Sequence, residues 1–504
     1  MKHIKYIAFA LLLPLLAGCY ADKGNYTYKD LASVEVKVTG IESAYKVKSM
    51  GTLEISPVIS PDNADYEYYW GVYPAGSLYI DKMIIISRER NLKYSVQLKP
   101  GNYQLRFYAK DKQTGVFSYT EYDLTVETDI VSGWWLLKEV NGNTDIDIHT
   151  PKHVFPNRLA EVSGKSLEGA PRGFLFYDSW LRLDSVGEGS DKKYTNTPTP
   201  SLFVASDKDL KVLDYYTTET IGTFESLFKL NSSVQKKPED IFFATNYISL
   251  VNNGRIHSLR TIGQVATSFF GEAFVGDYKL SPHRAVAFSW QPILYDESKS
   301  SFCSYARIDN SLQYFKDPAP HKVNNLNADL LFFNHRKMLG VPEWAYALLK
   351  SKTTSEHYLY KFGSMFDRVG MKLLQVDVLR DDKKMFHADR YAYTKGYNQT
   401  FFSIGNVIWS CEFAGFTEKE QLTVPAGETI TLIETLVPDV PSGTQAPVYF
   451  VLGTQTGNRY KFSVYNVQAG NIAERVALYE GEGNVKRAMF IEMKDNRIWQ
   501  TLLD

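Results

Sequence analysis

Cys19 is the residue with the clearest chemistry in this chain. It ends the run Leu16-Ala17-Gly18-Cys19, which follows Lys2, Lys5 and an apolar stretch from Ile7 to Leu16. Positive residues, a short hydrophobic segment and small side chains before a cysteine form the pattern of a cleaved, lipid-accepting leader. The apolar stretch is too short to cross a bilayer as a helix. Residues 1–18 therefore read as a signal peptide, and cleavage before Cys19 frees a thiol for acyl chains and a new amino terminus. Each buried methylene contributes roughly 0.8 kcal/mol, so two or three chains make a stable anchor. The expected product is a water-soluble body held to a membrane through Cys19.

Other reactive groups do not assemble into a known motif. His149 and His153 are four apart, but Pro151 between them opposes the helix that a zinc-binding pair requires. Asn141, Asn143, Asp145 and Asp147 alternate oxygen-bearing side chains. An EF-hand loop needs glycine at its sixth position, where Ile146 stands, so a hairpin turn with polar residues facing solvent is expected. Gly164-Lys165-Ser166 resembles the end of a phosphate loop, but Leu159 occupies the place of its first glycine. No G-x-S-x-G elbow supports a hydrolase serine. Carboxylates at Glu219–Glu225 and Asp377–Asp382 read as solvated, and Asp381-Asp382-Lys383-Lys384 as an exposed turn. No enzymatic signature emerges, and neither cofactor nor metal is expected. Trp180, Trp290, Trp344 and Trp409, in or beside strands, are the candidate ligand-binding residues, because aromatic faces stack on sugars or peptide side chains. Cys303 and Cys411 leave a disulfide and two buried thiols equally open.

The elements that position these residues are strands. The chain has 504 residues, 22% of them charged, with a formal net charge of -1, which gives no electrostatic reason to expect a nucleic acid partner. Its 34 Tyr and 29 Phe favour strands. After a polar tether at 19–30, residues 31–130 carry short alternating segments. These include Val34-Val36-Val38, Tyr66 to Tyr73 around Trp70, and Tyr103-Leu105-Phe107 after the Pro100-Gly101 turn. They predict an immunoglobulin-like β-sandwich with Trp70 between its sheets and Tyr103 as a corner tyrosine.

From Gly133-Trp134-Trp135 the texture changes to recurring hairpins. Trp135–Val140 turns at Asn141-Gly142-Asn143, Tyr247–Val251 at Asn252-Asn253-Gly254, Phe401–Ile404 at Gly405-Asn406 and Val448–Leu452 at Thr456-Gly457-Asn458. Similar pairs begin at Ser201, Ala285, Trp344 and Ala488. An interval of roughly 45–60 residues fits one four-stranded blade per repeat, so residues 131–504 predict a β-propeller of about seven blades. Gly187–Pro200 and Pro318–Asn327 read as loops, and Ile221–Leu230 and Pro238–Ala244 as short helical pieces.

The segment Cys19-Tyr20-Ala21-Asp22-Lys23-Gly24-Asn25-Tyr26-Thr27-Tyr28 resembles the mature start of the PKD-like lipoproteins of Bacteroidetes, which read C-Y-x-D-x-G-N-Y-x-Y. The resemblance continues through Tyr69-Trp70, Gly101-Asn102-Tyr103, Gly133-Trp134-Trp135-Leu136-Leu137 and Asn253-Gly254-Arg255-Ile256-His257. It implies an outer-membrane, surface-exposed lipoprotein beside a SusC-like TonB-dependent transporter and a SusD-like lipoprotein, in a system that imports oligopeptides or oligosaccharides. It carries over no catalytic residue. The expectation is a non-enzymatic docking or binding subunit in which the sandwich is a spacer. The alternative is a glycan-active hydrolase or lyase at the propeller mouth, which two carboxylates converging in one pocket would mark. A purely architectural subunit is a third reading.

Overall fold

The computed structural model describes residues 36–501 with the exception of 50, 63–64, 77–82, 131, 187–192, 229–232, 245, 262–266, 287–291, 306–309, 337–343, 364–371, 393–396, 439–445 and 495–496. The chain divides into two compact units, Met1–Glu127 and Thr128–Asp504.

The first unit is a sandwich. Strand Ala44–Lys48 runs parallel to Phe117–Glu127, and Gly101–Asp111, Tyr66–Pro74 and Ile84–Ser87 complete a five-stranded sheet in that order. The opposing layer is two pairs, Lys37–Thr39 with Val58–Ser60 and Thr52–Ile55 with Leu92–Ser95. Alternation sorts the side chains: Trp70, Leu105, Phe107 and Leu124 point inward to meet Leu53, Ile55, Ile59 and Leu92. Trp70 is wholly buried, and its indole Nε1 donates to the Arg90 carbonyl at 3.1 Å. The Tyr103 hydroxyl donates to the Lys99 carbonyl at 2.9 Å, which is the tyrosine-corner geometry.

The second unit contains seven sheets among the described residues. Blade 1 combines Ser132–Val140, Asn143–His149 and Val154–Phe155 with the late strands Asn484–Lys494 and Arg497–Thr501. Blade 2 spans Pro171–Thr223, blade 3 Pro238–Arg260, blade 4 Leu294–Tyr314, blade 5 Ala328–Leu379, blade 6 Arg390–Thr423 and blade 7 Thr429–Glu482. Each gap between successive blades holds its own apolar core. Trp135 and Ile148 meet Leu202 and Tyr215 between blades 1 and 2, and Phe203 and Val212 meet Ile248 and Leu250 between 2 and 3. Phe242 and Ile256 meet Cys303 and Tyr305, then Phe302 meets Phe333 and Phe362. Phe332 and Leu348 meet Phe402 and Cys411, and Phe401 and Ile408 meet Phe450 and Leu452. The seventh core, Phe462 and Val464 against Trp134 and Leu136, returns to blade 1. Seven sheets joined by seven cores in a closed circuit are a seven-bladed β-propeller.

Asn484–Lys494 pairs with Ser132–Val140, with Trp134 opposite Phe490, so a strand from late in the chain completes the first blade and shuts the ring. First strands of neighbouring blades pack on one another: Pro171–Val186 on Pro238–Ala244, Arg390–Ala392 on Thr429–Leu436, and Thr429–Leu436 on Asn484–Lys494. They mark the axis. Because the strands alternate in direction, the starts of first strands and the turns between second and third strands share one face. Asn141 (φ 50°) and Gly142 (φ 77°) form such a turn with both residues left-handed, the conformation that Asn-Gly supplies. Gly133 has another reason to be glycine: a methyl there would run into the His149 carbonyl oxygen.

Two local expectations are corrected. Pro238–Ala244 is a strand, not a helix; it is a first strand largely covered on both faces, and the four apolar residues Ile241–Ala244 show no period of two. Within Gly187–Pro200, Lys193–Pro200 belongs to the long strand Lys193–Ser206 and is no loop. A short helix does stand at Phe224–Leu227, where Thr223 and Ser226 form a reciprocal cap.

Candidate functional site

Three places gather polar or aromatic side chains in ways that core packing alone does not require. The first is the ring closure. Lys138 Nζ lies 2.7 Å from Asp147 Oδ1 and donates to the Glu482 carbonyl at 2.8 Å. Tyr460 donates its hydroxyl to Asp147 Oδ2 at 2.7 Å and lies 2.7 Å from His149 Nε2. All four side chains are buried. Burial holds the His149 imidazole below its usual range, against the opposing pull of Asp147, and burial with Asp147 raises the Tyr460 phenol. Lys138, Asp147 and His149 belong to blade 1 and Tyr460 to blade 7, so the network bolts the two ends of the ring together. It is closed to a ligand of any size. The neighbouring Asp145 accepts from the Leu159 amide at 2.8 Å and from Ser166 Oγ at 2.6 Å, holding the start of helix Arg158–Ser163. Asp145 and Asp147 are thus interior, a correction to the solvent-facing hairpin expected for them: their period-two spacing aims both into the gap beside the sheet.

The second place is a cleft of about 430 Å³ on the face that carries the second-to-third strand turns. Asp389, Arg390, Ser403, Gly405, Asn406, Glu428, Thr429 and Ile430 line it, so it lies between the first strands of blades 6 and 7. Asp389 Oδ2 accepts from the Gly405 amide at 2.7 Å. Glu428 is held by Lys461 at 2.6 Å and Thr454 Oγ1 at 2.7 Å, and Lys461 foremost keeps its carboxyl below the usual range. Arg390 Nε donates to the Ile430 carbonyl at 3.2 Å.

The third is the outward face of the five-stranded sandwich sheet. Register places Tyr69 opposite Tyr108 and Tyr108 opposite Tyr119, one aromatic row across three strands. Tyr69 and Tyr108 stack at 4.5 Å and 13°, and Phe117 extends the stack at 5.4 Å from Tyr108. Arg106 lies 4.6 Å over the Tyr119 ring and bonds Glu121 through Nε at 2.9 Å. Tyr73 also donates to Glu121, and Tyr73 first, then Arg106, holds the Glu121 carboxyl below its usual range. Phe117 is 55% exposed, Tyr119 51%, and Ile85 on the adjoining edge strand 40%. Large apolar groups are therefore left in water on this face. The signal was present in the sequence: Tyr69 and Tyr73 fall out of phase with Trp70, and Phe117 and Tyr119 share the parity of Glu121.

The four tryptophans do not converge. Trp180 is 4% exposed and packs edge-on against Phe203 between blades 2 and 3, so it fills core. Trp290 lies outside the described residues. Trp344 and Trp409 flank one core between blades 5 and 6, half-buried, each with a lysine ammonium over its ring: Lys361 at 3.9 Å and Lys384 at 3.3 Å. Those lysines occupy the faces a ligand would use. His149 and His153 are not brought together: His153 is exposed and lies 3.8 Å from Asp129. Cys303 and Cys411 are free and buried in blades 4 and 6, and burial pushes the Cys411 thiol up to about 12. Among the described residues, no group of three or more His, Cys, Asp or Glu is arranged to hold a metal, and no helix is long and apolar enough to cross a membrane. Cys19 lies outside the described residues.

The PKD-like family model matches residues 19–171, which takes in the sandwich and the first three strands of blade 1. No curated protein matches the chain. Among solved structures, a quinonprotein alcohol dehydrogenase-like protein from Bacteroides thetaiotaomicron is similar over 90% of this chain and 99% of its own, at 12% identity and a TM-score of 0.43. The dihydro-heme d1 dehydrogenase NirN is similar over 71% and 75%, at 10% identity and 0.39. The WD40 domain of SCAP from fission yeast is similar over 64% and 80%, at 10% identity and 0.31. The propeller assignment rests on the circuit of cores described above.

Proposed function

We propose that this chain is a non-enzymatic, lipid-anchored subunit of the outer membrane. In this reading it docks onto a SusC-like TonB-dependent transporter and its SusD-like lipoprotein partner and contributes to uptake of an oligosaccharide or oligopeptide. The observation that carries the reading is the outward aromatic face of the sandwich, Tyr69, Tyr108, Phe117 and Tyr119 with the Arg106–Glu121 pair at its centre. The leader that ends before Cys19 supports the anchor, and the PKD-like match beginning at residue 19 agrees with it. Tethering raises the local concentration of the face near a membrane partner, so modest intrinsic affinity suffices. The sandwich is then the contact module and not the inert spacer expected from sequence.

The hydrolase alternative gains little. Asp389 and Glu428 do line one cleft, but a glycosidase acid needs a raised pKa, and Lys461 drives Glu428 the other way. The test is expression with the native leader, metabolic labelling with a clickable fatty acid, and purification from outer membranes in mild detergent. Acylation that disappears in Cys19→Ser, together with a co-purified TonB-dependent transporter, is the expected outcome. Unacylated protein, or acylated protein recovered without a transporter, contradicts it.

A further inference from the structure

We propose that the cleft between blades 6 and 7 binds a hydroxylated carboxylate, the chemistry of a uronic acid residue, through Arg390. The inference rests on the binding reading above and names the ligand class. It follows from which atoms around the cleft are already committed. Asp389 spends Oδ2 on the Gly405 amide, and both Glu428 oxygens are taken by Lys461 and Thr454. Glu428 is thus neutralised by Lys461, and the open carboxylate oxygen left at the cleft is Asp389 Oδ1, an acceptor for a ligand hydroxyl. Arg390 anchors its Nε on the Ile430 carbonyl, and among the described residues its two Nη groups have no hydrogen bond or ion pair. A guanidinium fixed at Nε with an open edge is a ready fork for a carboxylate.

The rest of the lining supplies hydroxyl recognition. Asn406 uses Nδ2 on the Val424 carbonyl at 3.0 Å, and its Oδ1 has no partner among the described residues. Thr429 stands exposed at the rim. Ser403, also lining the cleft, is 1% exposed, and its hydroxyl has no partner among the described residues. One cationic fork beside amide and hydroxyl groups suits a carboxylate flanked by hydroxyls. A volume of about 430 Å³ accepts one or two sugar rings. The cleft opens between two blades, on the face where first strands start and second-to-third turns gather.

The experiment uses the full mature chain with Cys19→Ser, titrated calorimetrically with D-galacturonate, D-galactose and the dipeptide Gly-Ser. Saturable galacturonate binding, at least tenfold tighter than galactose, is expected, and Arg390→Gln should weaken it at least tenfold while Arg390→Lys weakens it less. If Arg390→Gln fails to fold, the contrast between galacturonate and galactose on the unaltered protein decides alone. No saturation with galacturonate, equal binding of galactose, or tighter binding of Gly-Ser overturns the proposal. Uronate binding is read on isolated protein, so it survives a failure of transporter docking, and docking survives its loss.

Discussion

The ring closure and the sandwich face invert the usual placement of side chains. At the closure, Lys138 and Asp147 sit where water is absent. On the sandwich, Phe117 and Tyr119 sit where water is plentiful. The first arrangement raises the cost of error: a buried ion is tolerable only beside its partner, so strands Ser132–Val140 and Asn143–His149 must keep one register, and the Tyr460 hydroxyl on Asp147 ties blade 7 to them. The second arrangement forgoes burial and leaves apolar area for another molecule. Buried charge here serves architecture, and the exposed aromatics are the face proposed for recognition.

Breaking the closure should have the largest effect. Asp147→Ala leaves Lys138 uncompensated and should lower stability by about 3–5 kcal/mol, read from urea midpoints. The paired change Lys138→Met with Asp147→Leu should recover most of the loss, and failure to recover it would make the network more than an ion pair. Trp180→Ala, which empties a core site between blades 2 and 3, should cost a similar 3–5 kcal/mol, roughly, and leave galacturonate affinity unchanged. A binding defect at preserved fold would return Trp180 to the ligand surface.

Acid sharpens the same comparison. His149 is held below its ordinary value when folded, so the unfolded chain takes up that proton first. Stability should be flat above an unfolded value of about 6.5 and fall as pH drops through it. Melting temperatures measured between pH 7 and pH 5 should decline, and His149→Gln should flatten part of that slope. The smallest effect on stability belongs to the sandwich: Phe117→Ala and Tyr119→Ala should each change it by less than about 1 kcal/mol, since cross-strand pairs at exposed positions contribute little.

What is legible in sequence is the middle of most blades. The hairpins read from Asn141-Gly142, Asn253-Gly254, Gly405-Asn406 and Gly457-Asn458 are second-to-third strand pairs, where a tight turn fixes register and both strands are buried. The first strand Pro238–Ala244 is hard to read from sequence because burial on both faces erases alternation. Outer strands such as Leu373–Leu379 are half-exposed edges with weak patterns. The site residues were harder. Tryptophan was the obvious aromatic to choose, yet Trp180 went to core and Trp344 and Trp409 acquired lysine covers. The recognition face was written in tyrosine and phenylalanine parity, legible only once Trp70 had fixed which side faced inward. Arg390 gave no local signal at all, since the cleft exists only where two blades meet.

Recovery of the transporter by the anchored protein, with and without its aromatic face, tests the central claim most directly. The native-leader chain and a Tyr69→Ala, Phe117→Ala, Tyr119→Ala variant would be purified in parallel from outer membranes and the transporter quantified by mass spectrometry. Near-stoichiometric transporter with the first, and at least a tenfold loss with an equally folded and acylated variant, is the predicted result. Equal recovery by both, or none by either, would contradict docking through the sandwich.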